Sequence, residues 1–242
     1  MRQDIIAGRN AVREALRSGR TINKIMLAQG SKNGSIKEVV SLAKDSKIPV
    51  QNVERKHLDK IASGMQHQGV VAVAAAKDYT DFDDLLDAAE QQGQPFLVLL
   101  DEINDPHNLG AIIRTADAAG ADGVIIPRRR SVQLTPTVAK ASAGAVEHVP
   151  VARVTNLSQT IKKLQDRGVW VVGADMDGEL YWNASLDGPI ALVIGGEGKG
   201  LGRLVKESCD AVVKVPMSGK VNSLNASVAS ALLTYEVVRQ RT

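Results

Sequence analysis

Five side chains in three separate segments have the types and spacing to act on a polar ligand. Glu197 is the acid inside a glycine-rich turn, GGEGKGLG, that follows the apolar run Ile190 to Ile194. Arg114 lies between Ile113 and Ala116 in an otherwise apolar, small-residue stretch. Asn108 follows the polar turn around Pro106, and Ser223 and Asn225 flank Leu224 just beyond a run stopped by Pro216. Glycines at such a turn let backbone approach a flat or extended ligand closely. An unpaired arginine buried on an apolar helix costs several kcal/mol, so Arg114 needs a partner. A structural ion pair would serve. An arginine aimed at a phosphate or a reacting oxygen is the reading favoured by this sequence.

Each of these residues also has a plainer reading. Asn108 suits a helix N-cap, as do Asn222 or Ser223, and Glu197 suits a cap or a solvated acid. Capping accounts for one group in VNSLNAS and not for the rest. Several hydrogen-bonding groups at one helix start point to a pocket wall. Two phosphate motifs are excluded. The P-loop spacing fails because Val193 stands five before Gly198 and no serine or threonine follows Lys199. The dinucleotide motif fails because Leu201 and Arg203 stand where its last glycine is required. His57, His67, His107 and His148 have no metal-ligand spacing with Cys209, so no metal is expected. No Ser/His/Asp triad can be assembled, and His67 reads as a turn residue.

These residues must be held by alternating strands and helices. Residues 95–242 show apolar runs at 96–100, 124–126, 149–154, 169–174, 190–194 and 211–215. Helical patterns lie between them at 108–119, 135–143 and 157–166, with a last one at about 222–239. That alternation predicts an α/β domain with a parallel sheet, whose ligands bind outside the carboxyl ends of the strands. Residues 1–76 read as a smaller α/β unit, with helices at 8–16, 35–46 and 54–61 and strands at 22–28, 48–53 and 70–76. Residues 77–94 are acidic and polar and read as a connector, with Leu85, Leu86 and Ala89 able to form one short helix.

The 242 residues carry 30 Lys and Arg against 27 Asp and Glu, for a net charge of +3. That permits an RNA partner without demanding one. Local charge is sharper. Arg128, Arg129 and Arg130 follow one another after a strand, as a solvated loop or a phosphate site. Arg2, Arg9, Arg13, Arg17, Arg20 and Lys24 make the opening segment basic, and Arg9, Arg13 and Arg17 share a helix face. That face could be solvated or could track phosphates. No apolar run approaches the roughly 18 residues of a membrane helix, and the N-terminus does not read as a secretory signal. The single cysteine, Cys209, cannot form an intramolecular disulfide, which suits a cytoplasmic protein, and it reads as a buried structural thiol.

Three segments together, NLGAIIRTADAAGADGVI, LVIGGEGKGL and VPMSGKVNSLNASVASALLTYEVVRQR, resemble the three motifs of the SpoU/TrmH branch of SPOUT RNA ribose methyltransferases. The resemblance spans about residues 96–242. GRNAVREAL and HQGVVA resemble the ribosomal-protein-like RNA-binding domain of two-domain members, and the chain as a whole is most like the bacterial 23S rRNA guanosine-2′-O-methyltransferases. The resemblance implies a C-terminal α/β domain with a trefoil knot, preceded by a smaller α/β RNA-binding domain. It implies S-adenosylmethionine as cofactor, a homodimer, and 23S rRNA or a pre-ribosomal particle as partner. Gly195, Gly196, Val215 and Leu224 match cofactor-holding positions, and Asn108, Arg114, Glu197, Ser223 and Asn225 match the catalytic set. A tRNA ribose methyltransferase, a non-catalytic RNA-binding assembly factor and a generic nucleotide-binding protein are the alternatives.

Overall fold

The structure, a computed structural model, describes residues 3–30, 34–75, 77–198, 200–221 and 223–242. Arg2, Ala76, Lys199 and Asn222, which enter the expectations above, lie outside the described residues. The chain runs β1 (Gln3–Ala7), α1 (Arg9–Arg17), β2 (Ile22–Ala28), α2 (Gly34–Asp45), β3 (Val50–Val53), α3 (Arg55–Ala62) and β4 (Val70–Ala75). It continues with α4 (Phe82–Gln91), β5 (Phe96–Asp101), α5 (Pro106–Ala118), β6 (Gly123–Pro127), α6 (Pro136–Ala141) and β7 (Val151–Val154). The remaining elements are α7 (Leu157–Asp166), β8 (Trp170–Leu180), β9 (Ile190–Gly195), α8 (Arg203–Ser208), β10 (Ala211–Lys214) and α9 (Ala226–Arg241).

One compact unit takes Met1–Asp78 and Leu134–His148. Its sheet has the order β1-β4-β2-β3, with β2 and β3 parallel and the other pairs antiparallel. Val12, Val39, Ile25 and Ala72 join α1 and α2 to one face, and Leu58, Met26 and Val71 join α3 to the other. Burial on both faces explains why β4 reads as an unbroken apolar run. β1 escapes the sequence reading because it has only two consecutive large apolar residues, Ile5 and Ile6, and sits at the sheet edge.

The basic face of α1 is not a free phosphate track. Arg17 reaches Glu38 at 2.6 Å and Glu14 at 3.3 Å, and Arg13 reaches Glu14 at 3.1 Å and Glu38 at 3.6 Å. Glu14 and Glu38 therefore partner two of the three arginines on that stripe, Arg13 and Arg17. Arg9 instead donates its Nε to the Gln68 carbonyl at 3.0 Å. His67 is buried in a turn, where its Nδ1 accepts from Gly69 N–H at 3.0 Å and its Nε2 faces Asp59 at 2.9 Å. The Arg20 side chain is only 7% exposed and donates to Asp4 at 2.6 Å, to the Ala75 carbonyl at 2.9 Å, and to Glu147. Removing one partner from such a buried pair costs about 3–5 kcal/mol. This pair ties the 134–148 excursion to the smaller unit.

The other unit takes Tyr79–Gln133 and Val149–Thr242. Its six strands are all parallel, in the order β10-β8-β9-β5-β6-β7. The stretch read as a connector begins this unit's fold. Asp81 caps α4 by accepting from Asp83 N–H at 2.9 Å, and Phe82, Leu85 and Leu86 enter the core with Leu97, Ile125 and Val193. The compact units thus divide after Asp78, with a return at 134–148, rather than at residues 76 and 95.

Candidate functional site

The carboxyl ends of β9 and β10, with the middle of β8, open onto a cavity of about 360 Å³. The first wall comes from β8. Its ladder with β10 pairs Val212 with Gly173 and then Val213 with Glu179, so the residues between leave the ladder. Ala174, Asp175 and Met176 from that excursion line the cavity. A Cβ on Gly178 would lie 2.5 Å from the Val212 carbonyl oxygen, which is why the excursion returns through glycine.

The second wall is the glycine-rich turn after β9. A Cβ on Gly195 would lie 2.3 Å from the Gly200 carbonyl carbon, and one on Gly196 would lie 2.7 Å from the Glu102 carbonyl oxygen. Such contacts are with backbone, which cannot swing away. The turn closes on itself through Gly200 N–H, which donates to the Gly196 carbonyl at 3.1 Å. Buried Asp101 at the end of β5 accepts from Gly202 N–H at 2.8 Å and anchors the far end. Burial pushes the Asp101 carboxyl above its ordinary value, against the pull of that hydrogen bond.

The third wall is the segment after β10 with the start of α9. Val215, Met217, Ser223 and Leu224 line the cavity there, with Ala229 and Leu233 behind them. Four cofactor positions expected from sequence, Gly195, Gly196, Val215 and Leu224, therefore share one cavity with Glu197 and Ser223. The volume lies within the range of small-molecule sites, and its lining mixes apolar side chains with a few polar groups.

Asn108, Glu197 and Asn225 come together at the rim. Glu197 Oε1 accepts from Asn225 Nδ2 at 2.6 Å and from Asn108 Nδ2 at 3.0 Å, while Asn225 Nδ2 also donates to Asn108 Oδ1 at 2.9 Å. Two capping expectations change. Asn108 is not a cap: α5 starts two residues earlier, with Asp105 accepting from His107 N–H at 2.9 Å, and Asn108 is buried inside the helix. The cap of α9 is Asn225, whose Oδ1 accepts from Ser227 N–H at 3.0 Å. Glu197 is thus neither a cap nor a freely solvated acid.

Arg114 is not part of this cluster or of the cavity lining. It is exposed on α5, beside exposed Asp117 and Ala118, and has no ion pair among the described residues. The expected burial cost does not arise, because its helix face is turned to solvent.

Asp175 is the residue the sequence reading missed. Lys206 reaches its Oδ1 at 2.8 Å and Asp177 at the same distance. Burial pushes the Asp175 carboxyl up, but the bonds from Lys206 and Asp177 N–H outweigh it and hold it below the ordinary carboxylate value. An acid at the carboxyl end of a parallel strand, in GADMDG, was the available signal. Among the described residues there is no cluster of metal-ligating side chains, and no helix is long and apolar enough to cross a membrane.

Residues 95–235 match the model of the SpoU rRNA Methylase family, and residues 5–80 match that for RNA 2′-O ribose methyltransferase substrate binding. A Bacillus subtilis (strain 168) protein, provisionally named as the TrmH family tRNA/rRNA methyltransferase YacO, is 56% identical over 240 residues, covering 98% of this chain and 96% of that protein. A crystal structure of an RNA 2′-O ribose methyltransferase superposes with a TM-score of 0.82 at 28% identity, over 99% of this chain and 89% of the other. The SpoU methyltransferase AviRb from Streptomyces viridochromogenes, in complex with the cofactor AdoMet, also has a TM-score of 0.82, at 25% identity over 99% and 90% of the two chains. With both compact units matched and the motif residues gathered at one sheet edge, the chain belongs to the SpoU/TrmH family of RNA 2′-O-ribose methyltransferases, of the SPOUT α/β class.

Proposed function

We propose that this chain transfers the methyl group of S-adenosylmethionine to the ribose 2′-hydroxyl of a guanosine in 23S rRNA. The observation that carries this reading is the Asn108–Glu197–Asn225 cluster at the rim of a cavity that fits an amphipathic nucleoside ligand. Ile194, Val213 and Leu233 offer an apolar floor for an adenine ring, and backbone at Gly195, Gly196, Val215 and Leu224 offers polar partners along the edge. When bound, the cofactor supplies a methyl made electrophilic by its sulfonium.

The chain's own residues then have three tasks. They must orient the hydroxyl oxygen in line with the methyl, polarise it, and exclude water. Orientation alone supplies several kcal/mol. Glu197, held by two amides, fixes the glycine turn, and Asn108, Asn225 and Ser223 are the groups set to orient the ribose and the loops. Arg114 binds the phosphate beside the target and polarises the 2′-hydroxyl. A guanidinium stays protonated in water, so it is not the proton acceptor.

The active form is a homodimer. Val228, Leu232 and Tyr235 are exposed at spacings of four and three residues along α9, so they form one apolar stripe. A second copy seated there covers it. Arg114, exposed and outside its own cavity lining, then serves the site of the partner copy. The protein works in the cytoplasm, where its substrate lies and where Cys209 stays reduced.

The rRNA description of the family model over residues 95–235 supports an rRNA substrate, and the 5–80 region supplies an RNA-binding unit for it. The test is transfer of labelled methyl from S-adenosylmethionine to unmodified 23S rRNA, with a tRNA pool in parallel. Label in the rRNA, abolished by Arg114→Ala with cofactor affinity kept, is the expected result. Label confined to tRNA overturns the substrate, and full turnover in Arg114→Ala removes that arginine from the mechanism.

A further inference from the structure

The three consecutive arginines after β6 are not used by the chemistry above. Arg128, Arg129 and Arg130 are all exposed. Neither Arg128 nor Arg129 has an acidic partner among the described residues, and Arg130 meets only Glu102, at 3.5 Å with its own side chain 83% exposed. Such an open pair contributes little and leaves the charge available. Elsewhere in the same unit Arg167, Lys206 and Arg239 are each in ion pairs of 2.8 Å or less. The arginine run is a local concentration of uncompensated positive charge.

The loop that carries it is built to a fixed shape. Arg128 N–H donates to the Val154 carbonyl at 2.8 Å, which extends β6 by one residue. Gln133 Nε2 donates to the carbonyls of Pro127 at 3.2 Å and Ser131 at 3.1 Å, tying together the two ends of the run. Gln133 Oε1 accepts in turn from Tyr79 at 3.3 Å and Arg153 at 3.4 Å, and the Arg153 guanidinium stacks 4.1 Å over the Tyr79 ring. Arg130 sits at φ +58°, a left-handed conformation that costs a non-glycine residue energy.

The position of the loop says what for. Val132 N–H donates to the Ile103 carbonyl at 2.8 Å, and Ser131 Oγ donates to the same carbonyl at 3.2 Å. The run is therefore stitched to residues 102–104, the segment that leads into α5 and Asn108. Glu102 is also the residue whose carbonyl backs Gly196 in the cavity's glycine turn. We infer that Arg128, Arg129 and Arg130 form a phosphate-binding loop that holds the substrate RNA backbone next to the reacting nucleotide. The inference rests on the proposed RNA substrate and adds to it a specific binding element. Its chemistry is that of guanidinium on phosphate oxygens, which positions the strand without reading its sequence.

The test measures binding of an unmodified 23S rRNA transcript at several salt concentrations, beside S-adenosylmethionine affinity and thermal stability. The triple variant R128A/R129A/R130A should bind the transcript at least about tenfold more weakly, and its slope of log affinity against log salt should be shallower by roughly two, since each lost phosphate contact removes about 0.7 to 0.9. The triple lysine variant should keep the slope, and Lys162→Ala, which removes an exposed charge on α7, should change neither quantity. A wild type that methylates the transcript, with a triple alanine variant of unchanged RNA affinity and salt slope, overturns the inference and leaves the methyltransferase reading standing. A triple lysine variant that loses slope as alanine does also overturns it, because then shape and not charge is at work. A wild type that binds and methylates no RNA defeats the functional reading itself.

Discussion

The amide of Asn225 reaches Glu197 at 2.6 Å while its own carbonyl oxygen caps α9 through Ser227 N–H at 3.0 Å. One side chain thus starts the last helix and holds the acid of the glycine turn. The two tasks separate by substitution. Asn225→Ser keeps a capping oxygen and loses the donor to Glu197, whereas Asn225→Ala loses both. The serine variant should stay close to wild type in stability and the alanine variant should lose about 1 kcal/mol. Both should lose methyl transfer by about a hundredfold or more, the size of effect seen when an orienting group is misplaced. Thermal melts and turnover measured together decide this, and a fully active Asn225→Ser would release Glu197 from its proposed role.

Gly195 and Gly198 lie in the same turn and should respond differently to alanine. The Gly195 Cβ would stand 2.3 Å from backbone of Gly200, so the turn must move and the cavity wall with it. Gly198 has nothing within 4 Å of its added Cβ and bears only a φ of +81°. Gly195→Ala should weaken cofactor binding by about a hundredfold or more, and Gly198→Ala should cost roughly 1 kcal/mol of stability with the cavity intact. Calorimetric titration with S-adenosylmethionine separates the two.

Asp101 gives a pH signature. Burial raises its carboxyl in the folded chain above its unfolded value of 3.8. The folded state therefore holds that proton more tightly, and stability falls as pH rises from the unfolded value through the folded one. Asparagine can still accept from Gly202 N–H and carries no charge to bury. Asp101→Asn should melt above wild type at about pH 8, and the gain should vanish below about pH 4. A gain that persists unchanged in acid would show that charge burial is not its source.

Cys209 is held by its surroundings as a thiol. Burial comes first, with the charges of Asp210 and Asp101 added, and the thiol is pushed up to about 12. At pH 8 its thiolate fraction should be roughly a thousandfold below that of a free cysteine, so alkylation of the native chain should be slower by about that factor. Rapid native labelling at pH 8, equal to that of the chain in denaturant, would contradict this environment.

Much of the catalytic sheet was legible in sequence because parallel strands buried on both faces read as continuous apolar runs, as β5 and β9 do. The short edge strand β1 was not, since two large apolar residues carry no periodicity. The excursion in β8 was hidden as well: Asp175, Met176 and Asp177 look like a strand end, and only pairing with β10 shows the strand resuming at Glu179. Residues 77–94 read as a connector because the amphipathic helix α4 has an acidic surface that resembles a linker, while its Phe82, Leu85 and Leu86 enter the core of the larger unit. The excursion at 134–148 belongs to the smaller unit through a long-range pair, Arg20 with Glu147. At the site, residue types and spacing selected the three rim residues, but capping rules assigned Asn108 a task that Asp105 performs.

The most direct test of the account is the identity of the product. Unmodified 23S rRNA is incubated with the protein and S-adenosylmethionine, digested to nucleosides and analysed by mass spectrometry, with fragments mapped to position. The account predicts one new 2′-O-methylguanosine at a single site, absent with Arg114→Ala. A methyl group on a base, or on a ribose other than guanosine, or no methylated nucleoside from a protein that binds the cofactor and the RNA, would contradict it.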